Sequence, residues 1–365
     1  MLKQLEERNQ KIIDAVIKKA NRDYPGTLAL IGIYGSFMTG DIHEKSDLDL
    51  LILINDDRGW QLGCAFVQDD LQVGHDIYCT NWESLEYDAG YHHPNISKLM
   101  DSKIVYCADE KYLEKLDTLR KKVQEKLRQP FSKEDYEKAE EVLKEAEHFF
   151  TKAMVAEELS DVRSEAGNML YYVESAIALL NKKYFRYGTK RVYEELAQME
   201  RRPANLCEML EEVVSADSSG QMKQALTALM KEMFWVFEKA KEEVFANESK
   251  KQAVSADAVR GTYEEMYSNW RNKMYLAAKE NHKHLAFFSM SSLSGMLGEI
   301  EQEVAIAPQE VFAYYHPNDL QKTAEGYDVI LQKYLKEYES VNLQPRHYAD
   351  VDTFVADYLE ENHDK

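Results

Sequence analysis

The sequence predicts an α+β protein: a small mixed β-sheet domain with helices over residues 1–128, an α-helical bundle over 129–248, and a further helical region over 255–365. Short apolar runs bounded by turn residues are concentrated in the first third of the chain, which is where a sheet belongs. From "QPFSKEDYEKAEEVL" onward the apolar residues step by three and four instead, the spacing of buried helix faces. The polar stretch "ANESKKQAVSAD", near 246–257, then interrupts the helical pattern and reads as a linker.

Taken in order, Leu5, Ile12, Ile13, Val16 and Ile17 fall at helical spacing and predict an amphipathic helix that stops before the turn residues "YPG". Strands are expected at "TLALIGIYG", "LDLLILI", "LQVGHDIYCT" and "KIVYC". After Pro130, Ser132 and Asp135 have the spacing of a helix N-terminus. Tyr136, Ala139, Leu143, Ala146, Phe150 and Ala153 then make a core stripe, and a second helix turns Met169, Leu170, Val173, Ile177 and Leu180 inward. Further helices are expected over 191–200, 205–214 and 220–246, with Trp235, Met230 and Phe234 in the core. Pro308, Pro317 and Pro345 punctuate the helical remainder.

Among 365 residues, 44% are hydrophobic and 30% charged, the balance of a folded chain. The net charge of −20 repels nucleic acid and anionic membrane unless a local basic patch overrides it, so neither partner is expected. Cys64, Cys79, Cys107 and Cys207 are scattered, with no zinc-ligand spacing, and suit reduced thiols in a cytoplasm. The first twenty residues lack the apolar core of a signal peptide, and no run approaches the ~20 apolar residues of a bilayer span. The expected location is therefore cytoplasmic.

The chemistry concentrates in "YGSFMTGDIHEKSDLDLLIL", Tyr34 to Leu53. Residues two apart on a strand point the same way, so Asp47 and Asp49 share a face while Leu48 and Leu50 pack inward. Two carboxylates that close repel, and a divalent cation, Mg²⁺ or Mn²⁺, removes the penalty while suiting phosphate oxygens as further ligands. Gly35 lets the backbone approach a ligand, and the N–H groups beginning at Ser36 can cradle an anion. Asp76, in "GHDIYCT", is the expected third carboxylate on a neighbouring strand, whereas Asp69 and Asp70 read as turn residues. Together Asp47, Asp49 and Asp76 form the expected metal set.

A Gly-Ser pair, ten intervening residues, Asp-x-Asp on a strand and a later strand carboxylate resemble the signature of the polymerase-β-like nucleotidyltransferase superfamily. The resemblance spans the first third of the chain. It implies transfer of a nucleoside monophosphate, AMP from ATP or another nucleoside triphosphate, onto a hydroxyl acceptor, with Gly35, Ser36 and Ser46 on the nucleotide. A catalytic domain followed by a bundle is similar to the antibiotic-modifying members, the aminoglycoside and lincosamide enzymes, and implies a small-molecule acceptor.

The segment "AIALLNKKYFRYGTKRVYEEL" resembles the bundle motif of those enzymes, and on that likeness Lys190 contacts the triphosphate, with Arg191 as its neighbour. A cation there would stabilise charge on the leaving pyrophosphate. For the general base two candidates stand: Asp76, and Glu174 on the flank it shares with Asn181. The histidines of "YHHPN" and "ENHKHLAFF" read as structural. Two rival activities share these residues: adenylylation of a protein, and nucleotide binding by a regulatory scaffold without turnover. A homodimer is compatible with the C-terminal helices, for which the sequence specifies no substrate.

Overall fold

The computed structural model describes residues 2–245 and 253–360. The chain separates into two compact units, Met1–Asn247 and Glu248–Lys365. The expected boundary at 248, the end of the 220–246 helix and residues 246–252 of the expected linker lie outside the described residues.

In the first unit, helix α1 (Leu2–Asp23) leads into strand β1 (Leu28–Ile33), a single helical turn α2 (Ser36–Thr39) and β2 (Leu50–Ile54). Then come β3 (Cys64–Gln68), β4 (Val73–Ile77), β5 (Cys79–Asn81), helices α3 (Trp82–Ala89) and α4 (Ser97–Met100), and β6 (Lys103–Cys107). Four strands form a mixed sheet in the order β5-β2-β1-β6, with β2 parallel to β5 and β1 antiparallel to both its neighbours. Among the described residues β3 and β4 pair only with each other, as an antiparallel ribbon. The sequence reading missed β3, whose "CAFVQ" is exposed from Cys64 to Val67, and ran β4 and β5 together as one strand. Tyr78 divides those two and lets the chain change partners.

The unbroken apolar run of β2 follows from its position: all five residues are buried because both faces are covered. Leu50, Ile52 and Ile54 join α1 in one core, while Leu51 and Leu53 join a second that continues through the helices. Those helices are α5 (Glu110–Arg128), α6 (Lys133–Val155), α7 (Leu159–Leu180), α8 (Val192–Ala197), α9 (Leu206–Val214) and α10 (Ser219–Phe245). Ser132 caps α6 with a reciprocal Asp135 bond, as the spacing predicts. The same Asp135 carboxylate meets Lys182 Nζ at 2.8 Å, both side chains almost fully buried. The expected α6 and α7 stripes are buried, Phe150 only partly. Phe234 and Trp235 depart from expectation: they are exposed on α10 while Met230 is buried, and Lys239 lies over the Trp235 ring. Met230 sits at the edge of the buried arc formed by Leu226, Leu229, Met233 and Phe237, so Phe234, one turn on, falls just outside it and Trp235 faces away.

The second unit has its own core. It comprises α11 (Ala256–Val259), α12 (Thr262–Met266), α13 (Asn272–Glu280), α14 (Lys283–Glu303), α15 (Leu320–Ser340) and α16 (Val351–Glu360). A row of tyrosines on α15, Tyr327, Tyr334 and Tyr338, fills that core and keeps each hydroxyl bonded, for instance Tyr327 to the Met266 carbonyl at 2.9 Å. Among the described residues no helix is long and apolar enough to cross a membrane.

Candidate active site

Strand parity places the aspartates. Asp47 and Asp49 precede β2 rather than lie within it, but the Tyr34 N–H still donates to the Asp49 carbonyl at 3.1 Å, so the ladder's alternation carries on. Leu48 and Leu50 are buried toward α1. The odd-numbered positions face the other way, as Leu51 and Leu53 do, toward the helical core. Where that apolar packing stops, Asp49 is half-buried, Asp47 is exposed, and a cavity of about 310 Å³ opens.

Gly35 fits against this pair. Its φ of +66° is a conformation that side chains rarely adopt, and a Cβ there would lie 1.9 Å from Asp49 Oδ2. The Ser36 N–H donates to the Asp49 carboxylate, and the Ser36 hydroxyl is buried without a hydrogen-bond partner among the described residues. Burial, and then the Asp47 charge, push Asp49 up to about 6 against the pull of that N–H. The Tyr34 phenol is raised to about 12 by burial and by Asp49, Asp47 and Asp76. Paired repelling carboxylates beside an unsatisfied hydroxyl are the donor chemistry of a divalent-cation site.

Asp76 stands apart from the expected arrangement. It lies on β4, exposed and opposite Ala65, in the ribbon rather than on a strand bonded to β2. Its charge reaches Tyr34, yet it is absent from the cavity wall. Among the described residues no three His, Cys, Asp or Glu side chains are gathered to hold a metal ion.

Ser46 is buried in the same wall, where its Oγ accepts the His43 N–H at 2.9 Å and its carbonyl accepts Arg8 Nη2 at 2.8 Å. Across the cavity stand Arg186, Tyr187, Gly188, Thr189 and Lys190. Thr189 and Lys190 also line a second cavity, of about 560 Å³, formed with Leu170, Tyr171, Glu174 and Tyr193. Burial alone lifts Glu174 to about 7. Its expected flank-mate Asn181 instead pins the chain after α8, exchanging hydrogen bonds with the Arg201 backbone. Arg191 stacks on Tyr187 and reaches Asp41 at 3.5 Å and Glu194 at 2.7 Å. The sequence reading missed Tyr34, Asp41 and the Arg186–Tyr187 wall. Tyr34 adjoins the glycine motif and was the one within reach, whereas the wall residues come close only through tertiary folding.

Residues 13–147 match the model of the nucleotidyltransferase domain, and residues 113–243 match that of the KNTase C-terminal domain. No curated protein matches the chain. Among solved structures it is similar to a nucleotidyltransferase-like protein from Exiguobacterium sibiricum 255-15, at 11% identity over 80% of this chain and 89% of that one. The TM-score of 0.33 is too low for that likeness to carry a structural argument.

Proposed function

We propose that this chain, which matches the nucleotidyltransferase and KNTase C-terminal domain models, is a polymerase-β-like nucleotidyltransferase of aminoglycoside nucleotidyltransferase-like layout that moves AMP from ATP onto a hydroxyl of a small molecule, releasing pyrophosphate. The acceptor class we assign is an aminoglycoside-like or lincosamide-like compound. The observation that carries the proposal is the closure of Gly35 onto the Asp49 carboxylate at the mouth of a cavity whose far wall is Lys190.

Asp47 and Asp49 would hold a divalent cation, Mg²⁺ or Mn²⁺, with Asp76 as the third negative group on the Tyr34 side. When bound, the cation neutralises the carboxylate pair and draws charge from the phosphate. The N–H groups after Gly35 and the Lys190 ammonium orient the triphosphate. The acceptor occupies the larger cavity with its hydroxyl toward Glu174, whose raised proton affinity suits a general base near neutral pH. The acceptor oxygen bonds to the α-phosphorus as the bond to the bridging oxygen breaks. The hydroxyl proton passes to Glu174, and the electron pair leaves on pyrophosphate beside Lys190.

The test is transfer of label from α-labelled ATP, GTP, CTP and UTP to a panel of aminoglycosides, lincosamides and other polyols, with Mg²⁺ or Mn²⁺. Label on one small molecule, absent with Asp47→Ala/Asp49→Ala, is the expected result. Label on protein would favour protein adenylylation, and metal-dependent ATP binding without transfer to any acceptor would favour a regulatory scaffold.

A further inference from the structure

Lys190 lines both cavities, yet among the described residues its ammonium makes no hydrogen bond or ion pair. Its position is therefore inherited from its backbone. That backbone belongs to a short connection from α7 to α8, fastened at several points. The Tyr184 hydroxyl donates to Asp101 Oδ1 at 3.2 Å, and the Phe185 N–H donates to the Pro94 carbonyl at 3.0 Å. The next two N–H groups both turn to one side chain: Arg186 N–H meets Glu195 Oε1 at 2.8 Å and Tyr187 N–H meets Glu195 Oε2 at 3.1 Å. Gly188, at φ +66°, then reverses the chain into Thr189 and Lys190.

Two consecutive N–H groups pointing one way form a small anion-binding concavity, and a carboxylate satisfies both with charge-assisted bonds. A carboxamide of the same shape offers one acceptor and turns its NH₂ against the other N–H. Asp41 and Glu194 hold Arg191 on the far side, so Gly188, Thr189 and Lys190 are suspended between two anchors. The Glu195 anchor grips the backbone immediately before them, at residues 186 and 187.

We propose that Glu195 is a positioning residue, which by gripping the Arg186 and Tyr187 N–H groups sets Lys190 in the wall between the nucleotide and acceptor cavities. This rests on the assignment of Lys190 to the triphosphate. Because Glu195 acts through Lys190, its loss has no further consequence for nucleotide once Lys190 is gone.

The experiment measures binding of a fluorescent ATP analogue with Mg²⁺ to the full chain, wild type and Glu195→Gln, Lys190→Ala and the double variant, with thermal unfolding of each. Lys190→Ala and Glu195→Gln are each expected to weaken binding about tenfold, the scale of one lost charge-assisted bond, and the double variant to bind no more weakly than Lys190→Ala. Multiplying losses in the double variant, or wild-type binding by Glu195→Gln, would overturn the proposal. Wild-type binding by Lys190→Ala would instead overturn the triphosphate assignment, and the proposal with it. If Glu195→Gln does not fold, Glu195→Asp keeps the charge but reaches a single N–H. It is expected to weaken binding in the same Lys190-dependent way, and an effect that persists without Lys190 would refute the coupling.

Discussion

Glu174→Gln separates catalysis from stability in one substitution. The carboxyl is raised from 4.5 to about 7 with burial as the sole cause, so the folded protein holds its proton more tightly than the unfolded chain does. That difference stabilises the fold fully at a pH below the unfolded value, and the gain is lost as pH rises through about 7. At ~1.36 kcal/mol for each tenfold change in proton affinity the ceiling is ~3.4 kcal/mol, and water in the open cavity reduces the working figure to about 2 kcal/mol. Glutamine carries no charge at any pH. The variant should match wild type near pH 5 and, at pH 8 and above, melt about 4–8 °C higher for a unit of this size. The same variant should lose at least ~100-fold in nucleotidyl transfer, the usual contribution of a general base. Thermal unfolding across pH 5–9 makes the measurement. A melting difference that stays flat with pH would refute the reasoning about burial, and undiminished transfer would refute the role as base.

Three further outcomes follow from the same geometry. Gly35→Ala adds a Cβ at 1.9 Å from Asp49 Oδ2 in a backbone region that costs about 1–3 kcal/mol for a side chain, and should cut transfer by about 100-fold, read by label transfer alongside Mn²⁺ binding. Asp49→Asn in metal-free protein should be more stable than wild type above about pH 6, since the raised Asp49 proton affinity stabilises only at lower pH; Mn²⁺ should stabilise wild type alone. Lys182→Met leaves the buried Asp135 carboxylate unpaired and should cost about 3 kcal/mol in denaturant unfolding; an unchanged midpoint would show the pair to be dispensable.

How much of this was legible in the sequence differed by element. The Asp47-x-Asp49 alternation could be read because one face of its extension is buried at Leu48 and Leu50, which enforces period two. The α6 cap could be read because Ser132 and Asp135 are local partners. β3 was not legible: an exposed strand in a two-stranded ribbon has no buried face and so no alternation to detect. Asp76 was recognised by type, yet its ribbon placement depends on the change of pairing at Tyr78, which leaves no mark in the residue pattern. Trp235 shows the opposite failure, an aromatic at helical spacing that lies outside the buried arc.

The core that joins the sheet to the bundle has an evolutionary consequence. Leu30, Leu51 and Leu53 belong to the same apolar cluster as Leu180, Met230 and Phe237. A gene fragment encoding only the residues through Arg128 would therefore bare one face of its sheet, an apolar surface that favours aggregation. Shuffling the catalytic half alone onto another scaffold is thus penalised, whereas exchange of Tyr171, Glu174 or Thr189 around the larger cavity leaves the buried members of that shared core in place. Change of acceptor in this lineage is expected to run through point substitution at the cavity wall, with sheet and bundle inherited as one cassette.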